Sequence, residues 1–363
     1  MQRVARAARD AASTRARASR TTVRLRTGAL ALCAALLALP ASAQAASFVV
    51  NATGDAPDAT IDGTCATAGS VCTLRAALQE SNQDAGHDTI AFALPSPSTI
   101  DLTGALPTDS DADITGPGAA ALTVRRSSGG NYRIFTATGD LHISGLTVTN
   151  GYDDGIGGTL GPVAIGGGIL NTGELELDGV TVTANNADFT SATTNVPAIG
   201  GGVGNTGTLV VTDSTISHNS AMATTSDVSR AASGVGGGIG SVDLGAGPPS
   251  LDVVASTIDH NTVTAAAPIE AAAGGGAIAV SAGTARLTNV TISDNQSTAT
   301  GEGGLALGGG VGVDDGAAAT ITSSTLAFDT ATLGSNLSAV GSGRVRVRDT
   351  IVSNPGSGAT AAR

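Results

Sequence analysis

A run of glycines followed by the pattern Thr-apolar-x-x-Asn recurs along most of this chain. The Gly runs begin at Gly166, Gly200, Gly236, Gly274 and Gly308. The patterns that follow them end at Asn185, Asn219, Asn261, Asn295 and, in a variant, Asp329. The four Asn are separated by 34, 42 and 34 residues, and Asp329 follows after another 34. Periods of this length are typical of solenoids and propellers.

The size of the apolar segments favours a solenoid. Each unit has only two or three short apolar stretches, such as Ile169-Leu170, Leu175 to Leu177 and Val180 to Val182. A unit of this kind cannot bury its apolar face alone, so its neighbours must stack on it. We therefore predict an all-β fold, a right-handed single-stranded parallel β-helix of about eight to ten coils over residues 95–356, with a small N-terminal α+β cap and a disordered tail at 357–363.

Equivalent positions of the units should form columns along the stack. The predicted inward apolar column consists of Val182, Ile216, Ile258, Ile292 and Leu326. The terminal Asn of each pattern is predicted to form a structural ladder, because a turn Asn can hydrogen-bond to the Asn above it. Its members are Asn185, Asn219, Asn261 and Asn295. Glycines at the start of each unit permit tight corners.

Variable insertions separate each Asn from the next Gly run. They are Ala187 to Ile199, Ser220 to Val235, Thr262 to Ala273 and Gln296 to Leu307. We expect them to emerge as loops on one side of the stack, where solenoids usually carry their function.

The first 45 residues have the composition of a cleaved signal peptide. Eight Arg lie between positions 3 and 26, and the apolar run Gly28 to Pro40 precedes small-residue cleavage sites after Ala43 or Ala45. The apolar run is shorter than the ~20 residues that span a bilayer. We therefore expect a protein that is secreted or on the cell surface, with no transmembrane segment in the mature chain.

Loss of this signal changes the net charge. The whole chain carries 18 Arg, no Lys and 30 acidic residues, a formal charge of −12. Removing eight Arg and Asp10 leaves 10 Arg and 29 acidic residues, or −19. Such a surface repels nucleic acid, which excludes a DNA or RNA partner. We expect a monomer.

Residues 46–94 should form the N-terminal cap. Leu74, Ala77 and Leu78 have helical spacing, Thr73 can cap the start of the helix, and Gly86 follows its end. An amphipathic helix here would cover the open end of the stack. Cys65 and Cys72 are predicted to form a disulfide, because an isolated close pair in an exported protein is most simply a disulfide.

This segment resembles a known family. Cys72-Thr73-Leu74-Arg75-Ala76-Ala77-Leu78, with Asn82, is similar to the CSLREA domain of secreted bacterial proteins, which usually precedes β-helix repeats. Ala76 stands where that family has Glu, which removes this Glu as a partner for Arg75. The Gly-rich repeats also resemble those of polymorphic outer-membrane proteins. The resemblance to the CSLREA domain implies export from a bacterial cell and a β-helix partner, and it implies no catalytic residues.

The sequence assigns no catalytic residue. Asp188, Asp227, Glu270 and Glu302 lie in the insertions but do not recur in register, so no pair is fixed at the separation that acid–base catalysis needs. The expected function is non-enzymatic adhesion, binding or a structural role, with an extracellular polysaccharide or a surface protein as the partner. The alternative is a polysaccharide lyase or glycoside hydrolase that acts on an acidic polysaccharide.

Two metal hypotheses remain beside simpler interpretations. His218, His260 and Asp294 precede the ladder Asn in successive coils and could bind a transition metal, or they could form a solvated column of turns. Gly309 to Asp314 fits one copy of a calcium-binding repeat, but that motif works in tandem, so a glycine corner is the favoured interpretation. No cofactor is expected beyond a weak Ca²⁺ possibility.

One late strand is conspicuously cationic. Arg344, Arg346 and Arg348 alternate with valines, which indicates a strand with one basic face. This strand would be a polar edge that discourages end-to-end pairing, or a docking face for a further C-terminal segment.

Overall fold

Parallel pairing between equivalent strands of successive coils builds this molecule. The structure, a computed structural model, describes residues 45–83, 86–107, 109–156, 160–353 and 361–362. Apart from Ala45, the predicted signal peptide lies outside the described residues.

The cap and the first coils contain β1 (Ser47–Val50), α1 (Leu74–Ser81), β2 (Asp88–Phe92), β3 (Ser98–Leu102), β4 (Asp109–Thr115) and β5 (Leu122–Arg126). The next coil contains β6 (Phe135–Ser144), β7 (Thr147–Thr149), β8 (Tyr152–Asp153) and β9 (Ala164–Ile165). Then come β10 (Ile169–Asn171), β11 (Glu174–Asp178), β12 (Thr181–Thr183), β13 (Asn186–Thr190) and β14 (Val196–Ile199).

The following coil has β15 (Val203–Asn205), β16 (Thr208–Thr212), β17 (Thr215–Ser217), β18 (Ser220–Thr224) and β19 (Ala231–Val235). After it come β20 (Ile239–Ser241), β21 (Ser250–Val254), β22 (Thr257–Asp259), β23 (Thr262–Ala266) and β24 (Glu270–Gly274). The last coil of this type has β25 (Ile278–Val280), β26 (Thr284–Thr288), β27 (Thr291–Ser293), β28 (Gln296–Thr300) and β29 (Leu305–Leu307). The chain continues with β30 (Val311–Val313), β31 (Ala318–Thr322), β32 (Thr325–Ala327), β33 (Leu337–Ala339), β34 (Arg344–Arg348), β35 (Ile351–Ser353) and β36 (Ala361–Ala362).

Two sheets enclose the main core. The 17-stranded sheet, here called the long sheet, takes two strands from each regular coil, and the nine-stranded second sheet takes one. The second sheet is ordered β3-β5-β7-β12-β17-β22-β27-β32-β35, so the described residues make nine coils. Every pairing between these strands is parallel, for example Val182 beside Ile216 and Ile258 beside Ile292. The predicted parallel β-helix is therefore confirmed.

The inward apolar column is also as predicted. Val182, Ile216, Ile258, Ile292 and Leu326 are all fully buried in the main core. Side chains of β-branched residues pack well on such a pleated surface, because each stacks on its equivalent one coil away. Alternation along β11 buries Leu175 and Leu177 and leaves Glu174 and Glu176 exposed.

The insertions do not form loops, contrary to expectation. Each one folds into two strands that pair with the equivalent strands of the neighbouring coils. They build two further five-stranded sheets, which we call the side sheets, in the orders β8-β13-β18-β23-β28 and β9-β14-β19-β24-β29. The segments vary in length between these strands, but the strands themselves repeat in register.

A separate, thin core joins the two side sheets. Most of its members are alanines, among them Ala187, Ala198, Ala221, Ala265 and Ala271. Cα atoms of β13 and β14 approach within 8 Å, which is closer than the ~10 Å at which sheets with larger side chains pack. Alanine side chains therefore set the spacing of this part of the molecule.

The Gly runs form a narrow connection between the main coil and the side sheets, which we call the neck. A Cβ built on Gly201 would lie 2.3 Å from the carbonyl carbon of Ser220, in the segment that leaves the main coil. The same near-contact recurs between Gly167 and Asn186. One glycine of each run (Gly167, Gly201, Gly237, Gly276 or Gly309) is thus required, because two backbone segments pass side by side at this point.

The cap helix begins where the sequence predicts. The Thr73 side chain accepts a hydrogen bond from the Ala76 N–H, and α1 ends at Ser81 with Asn82 as its C-cap. It is the one helix in the part of the chain that the structure describes. Cys65 and Cys72 form the expected disulfide, with Cα atoms 5.1 Å apart.

Arg75 finds a different partner from the missing family Glu. Its Nε and Nη2 donate to the two carboxylate oxygens of Asp55, each at 2.9 Å. Its Nη1 and Nη2 also donate to the backbone carbonyls of Ala105 and Gly104. Asp55, which is almost fully buried, also accepts from the backbone and hydroxyl of Thr103. This network ties the cap to the loop after β3.

The long sheet extends beyond the recognisable repeats towards both ends of the described chain. Strands β1 and β2 of the cap pair in parallel with each other, and β2 pairs with β4, so the long sheet already starts within the cap. Ala361–Ala362 (β36), which fall in the segment predicted as a tail, pair with β33. Residues 357–360 and 363 lie outside the described part of the chain.

The close backbone contact at the neck leads to a prediction about the free energy of unfolding. Gly201→Ala should lower the free energy of unfolding by about 1–3 kcal/mol, because its Cβ would collide with the Ser220 backbone. Gly274→Ala is the matched control, since its Cβ meets nothing within 4 Å, and we expect a change within about 0.5 kcal/mol. Urea unfolding followed by circular dichroism measures both. Equal effects of the two substitutions would contradict the steric role of the neck glycine.

Candidate functional site

The predicted Asn ladder is present and fully buried at the neck. The Nδ2 of Asn185 donates to the Oδ1 of Asn219 at 2.9 Å, and Asn219 donates to Asn261 and Asn261 to Asn295 at 3.0 Å. Each Oδ1 also accepts from the backbone N–H of the ladder residue in the preceding coil. The ladder therefore satisfies buried backbone groups where the chain leaves the main coil, and its role is structural.

Asp329 ends this ladder with a carboxyl group. Its Oδ1 accepts from the Nδ2 and the backbone N–H of Asn295, both at 2.9 Å. Its Oδ2 is buried without a hydrogen-bond partner. Burial raises the pKa of Asp329 to about 7, while the hydrogen bonds from Asn295 act in the opposite direction. A protonated Asp329 resembles the Asn that occupies this position in the other coils.

His218 and His260 lie in neighbouring coils and stack on each other. Their ring centroids are 4.9 Å apart and their planes differ by 2°. Both residues and Asp294 have positive φ, between 54° and 58°, and are exposed. This arrangement is that of a column of solvated turns, the simpler of the two interpretations of these residues. The Nδ1 of His260 lies 3.0 Å from the Oδ2 of Asp259. Within the described ranges, no group of three or more His, Cys, Asp or Glu side chains is arranged to hold a metal ion.

The acidic residues of the insertions lie on the side sheets and their connections. Asp188 accepts from the Tyr152 hydroxyl at 2.9 Å, and burial together with this hydrogen bond raises the pKa of Tyr152 to about 12. Asp227 accepts from Ser229 in a local turn, and Glu270 and Glu302 are exposed. No hydrogen bond or ion pair joins these four carboxylates to one another in the part of the chain described.

The calcium-like segment forms a neck and the start of a coil. Gly309 and Gly310 lie beside the backbone of Thr330 and the carboxyl group of Asp329. Asp314 accepts from the Ser281 hydroxyl at 2.5 Å. These contacts are those of a structural corner, as the favoured interpretation of the motif expects.

Many of the charged side chains lie together on another surface, away from the neck and the side sheets. We call it the charged face: the outward side of the eight stacked long-sheet strands β4, β6, β11, β16, β21, β26, β31 and β34. Pairing in register places the outward residues of these strands in columns. The central column reads Asp113, His142, Glu176, Val210, Asp252, Arg286, Thr320 and Arg346.

A groove of about 480 Å³ lies in the middle of the charged face. Its polar lining residues are Thr208, Ser250, Asp252, Thr284, Arg286 and Thr320. Asp252 and Arg286 are register neighbours on adjacent strands. Asp252 contributes the one carboxylate among the groove-lining residues, and its Oδ1 is buried without a hydrogen-bond partner. The groove thus offers hydroxyl groups, one acid and one guanidinium to an extended ligand.

The free arginines also lie on this face. Arg75, Arg125, Arg133 and Arg230 each pair with an Asp, and Arg126 donates to backbone carbonyls. In contrast, four exposed arginine side chains have no hydrogen bond or ion pair within the described residues: Arg286, Arg344, Arg346 and Arg348. All four project from the C-terminal half of the charged face, which makes this half a cationic surface on a strongly acidic protein.

The N-terminal half of the same face is acidic. Its outward residues include Asp111, Asp113, Asp140, Glu174, Glu176 and Asp178. Asp113 lies 2.9 Å from the Nε2 of His87 and 3.6 Å from the Nδ1 of His142, and its hydrogen bond raises the pKa of His87. Glu174, Glu176 and Asp178 have no cationic partner in the part of the chain that is described. The face therefore has two poles of opposite charge.

The repeat alignment from the sequence found only one strand of this face. Arg344, Arg346 and Arg348 were visible because they alternate within a single strand. Arg286 and Asp252 were missed, because each is the one charged residue in its own strand. Glu176 was missed although it alternates with Glu174 and Asp178 along β11, because that strand was interpreted only through its inward leucines. Reading the middle residue of every equivalent strand as one column would have brought them together.

Comparisons of the chain with protein-family models, with curated proteins and with solved structures found no match. None of the helices in the described ranges is long and apolar enough to cross a membrane.

The raised pKa of Asp329, at the end of the ladder, leads us to expect that the stability of the protein depends on pH. Folding keeps Asp329 protonated up to a pH of about 7, whereas it ionises near pH 4 in the unfolded chain. The folded state therefore binds the extra proton between these values, and stability falls as the pH rises from about 4 to about 7. Asp329→Asn should remove this contribution and raise the free energy of unfolding at pH 8 by about 2–4 kcal/mol relative to wild type.

Urea unfolding at pH 4.5 and pH 8 measures the difference between wild type and variant. Asp213→Asn is the control, since Asp213 is an exposed turn residue with positive φ, and should change stability little at either pH. A difference between wild type and Asp329→Asn that is the same at both pH values would disprove a raised pKa for Asp329.

Proposed function

We propose that this is an exported, non-enzymatic binding protein that holds an acidic polysaccharide against the C-terminal half of its charged face. The observation that carries the proposal is the set of four unpaired arginines, Arg286, Arg344, Arg346 and Arg348, on one side of one sheet. The signal-like segment at 1–45 supports export to the cell surface or the medium.

Guanidinium chemistry indicates an anionic ligand. Arginine presents a planar fork that matches a carboxylate or sulfate with two parallel hydrogen bonds. Arg344, Arg346 and Arg348 alternate along β34, so successive guanidinium groups leave the strand about 7 Å apart. Arg286 adds a fourth cation two coils away, beside the Thr and Ser hydroxyls of the groove. An extended polymer with repeated acidic groups can contact several of these side chains at once, whereas a small anion can contact only one or two.

Catalysis is the second candidate, and one observation favours it. Asp252 and Arg286 lie next to each other in the same groove, where an acid and a cation could act on a bound uronate. Glycoside hydrolysis by the usual mechanism uses two carboxyl groups about 5–9.5 Å apart, and the groove lining contributes Asp252 alone. Binding without turnover is therefore the function that this face supports better.

Titration calorimetry with polygalacturonate and alginate, and with dextran as a neutral polymer, tests the proposal. We expect binding of an acidic polymer at low salt that weakens as salt is added. The triple variant Arg344→Ala, Arg346→Ala, Arg348→Ala should lose at least about tenfold in affinity, since charge-assisted hydrogen bonds contribute about 1.5–3 kcal/mol each. Arg230→Ala, on the side sheets, is the matched control and should bind like wild type.

The same mixtures decide between binding and catalysis. Reducing ends and unsaturated uronates are measured after long incubation, with and without Ca²⁺. Turnover that is abolished by Asp252→Asn would replace the binding proposal with a lyase or hydrolase. No heat with any acidic polymer, or unchanged affinity of the triple arginine variant, would refute the proposed site.

A further inference from the structure

The acidic half of the charged face has no role in binding an anion. Glu174, Glu176 and Asp178 on β11 lie on the same side of the same sheet as Arg344, Arg346 and Arg348 on β34. They would repel an acidic polymer that extended beyond the groove. The opposite charges of the two halves need a partner that is itself cationic at one end and anionic at the other.

We propose that this partner is a second copy of the chain. Two copies can place their charged faces against each other with their coil axes antiparallel, so that the acidic half of each meets the arginines of the other. A two-fold axis between β21 (Ser250–Val254) and β26 (Thr284–Thr288) relates the copies, because this point lies midway between β11 and β34 in the order of stacked strands. An interface of this kind is self-complementary and closes at a dimer.

The spacing of the charges fits this arrangement. Stacked strands lie about 4.8 Å apart, which puts the centres of the two poles about 25 Å apart along the axis. Between them, β16 contributes only the uncharged Thr208, Val210 and Thr212. A parallel arrangement of the two copies would juxtapose acid with acid and arginine with arginine, which is unfavourable. The charge pattern therefore selects one orientation.

The charged groups of both poles are available for pairing. Arg344, Arg346 and Arg348 are exposed, as are Glu174 and Glu176. None of them has a partner within the described residues. The one acid among the outward strand residues of the C-terminal half is Asp252, and it lies next to the two-fold axis, where it would face Arg286 of the other copy.

The size of the face indicates a weak, salt-sensitive dimer. Eight strands of about five residues give a face of roughly 34 Å by 16 Å, or about 550 Å² per copy. Stable interfaces bury about 800 Å² per partner, and smaller ones are transient. We therefore expect association at micromolar to millimolar concentration and low ionic strength, in contrast to the monomer expected from the sequence.

Sedimentation equilibrium of the mature protein over a wide concentration range, in 20 mM and 500 mM NaCl, tests the wild type. The expected result is a reversible approach to twice the monomer mass in low salt and a monomer in high salt. Sedimentation as a monomer at every concentration in low salt would overturn the proposal, as would a dimer that high salt does not weaken.

Charge reversal tests the orientation. The basic-pole variant carries Arg344→Glu, Arg346→Glu and Arg348→Glu, and the acidic-pole variant carries Glu174→Arg, Glu176→Arg and Asp178→Arg. Each should be monomeric alone, whereas an equimolar mixture should form a heterodimer and the variant with all six changes should regain self-association. Either single-pole variant that still dimerises like wild type would overturn the antiparallel pairing.

The acidic-pole variant also separates this inference from the proposed function. If both hold, it loses self-association while its affinity for an acidic polysaccharide is kept or increased. If this variant fails to self-associate, and neither the wild type nor any variant binds polysaccharide, the results support the dimer alone. Polysaccharide binding by a wild type that never dimerises would support the proposed function alone. Thermal unfolding of each variant confirms that these exposed changes leave the fold intact.

Discussion

The neck between the main coil and the side sheets is the constraint on which the rest of this structure depends. At every regular coil, two backbone segments pass side by side there, and their polar groups are shielded from water. Buried backbone groups need hydrogen-bond partners, and the ladder from Asn185 to Asn295 supplies them through both the side-chain amide and its oxygen. Glycine supplies the space, since Gly201 lies against the Ser220 backbone. The recurring sequence pattern is therefore the signature of a crossing point, and the two cores on either side of it follow from keeping that crossing in register.

The two cores use different chemistry for the same purpose. The main core is built from Ile, Leu and Val, whose columns fill a wide interior. The side sheets come so close together that alanine fills the space between them. Large aromatic side chains have no place in so thin a layer, apart from Phe189, which accounts for much of the low aromatic content of the chain. The thin layer also has consequences for stability, because small side chains bury little apolar area and hydrogen bonds between coils must contribute a larger share.

Much of the fold was predictable, because the same pattern recurs in successive coils and each copy indicates the same arrangement of strands. Val182, Ile216 and Ile258 recur with the same neighbours, so the inward column, the Asn ladder and the cap disulfide followed from the sequence. The side sheets did not, because segments such as Ser220–Thr224 (Ser-Ala-Met-Ala-Thr) have only alanines on their inward side and lack the strong apolar alternation by which strands are usually recognised. The long-sheet strand at β2 was assigned to the cap because it precedes the first recognisable repeat.

The charged face was less predictable for a different reason. A site on a β-helix is assembled from residues about 34 positions apart, and one charged side chain per strand carries no local signal. Exceptions include β11, with three acidic residues in one strand, and β34, with three arginines. Arg75 shows the same limitation, since its partner Asp55 lies 20 residues away and nothing in the helix motif indicates it. Such pairings become visible only when the register between coils is known.

The ladder also fixes the spacing of successive coils along the molecule. Because each regular coil offers the same hydrogen-bonding groups to the coil before it and the coil after it, evolution can add or remove one period without disturbing either end. Loss of residues 186–219, for example, would bring Asn185 next to Asn261 and shorten the distance between the acidic and basic poles by about 4.8 Å. Coil number would thus set the separation of two surface features in fixed steps, independently of their chemistry.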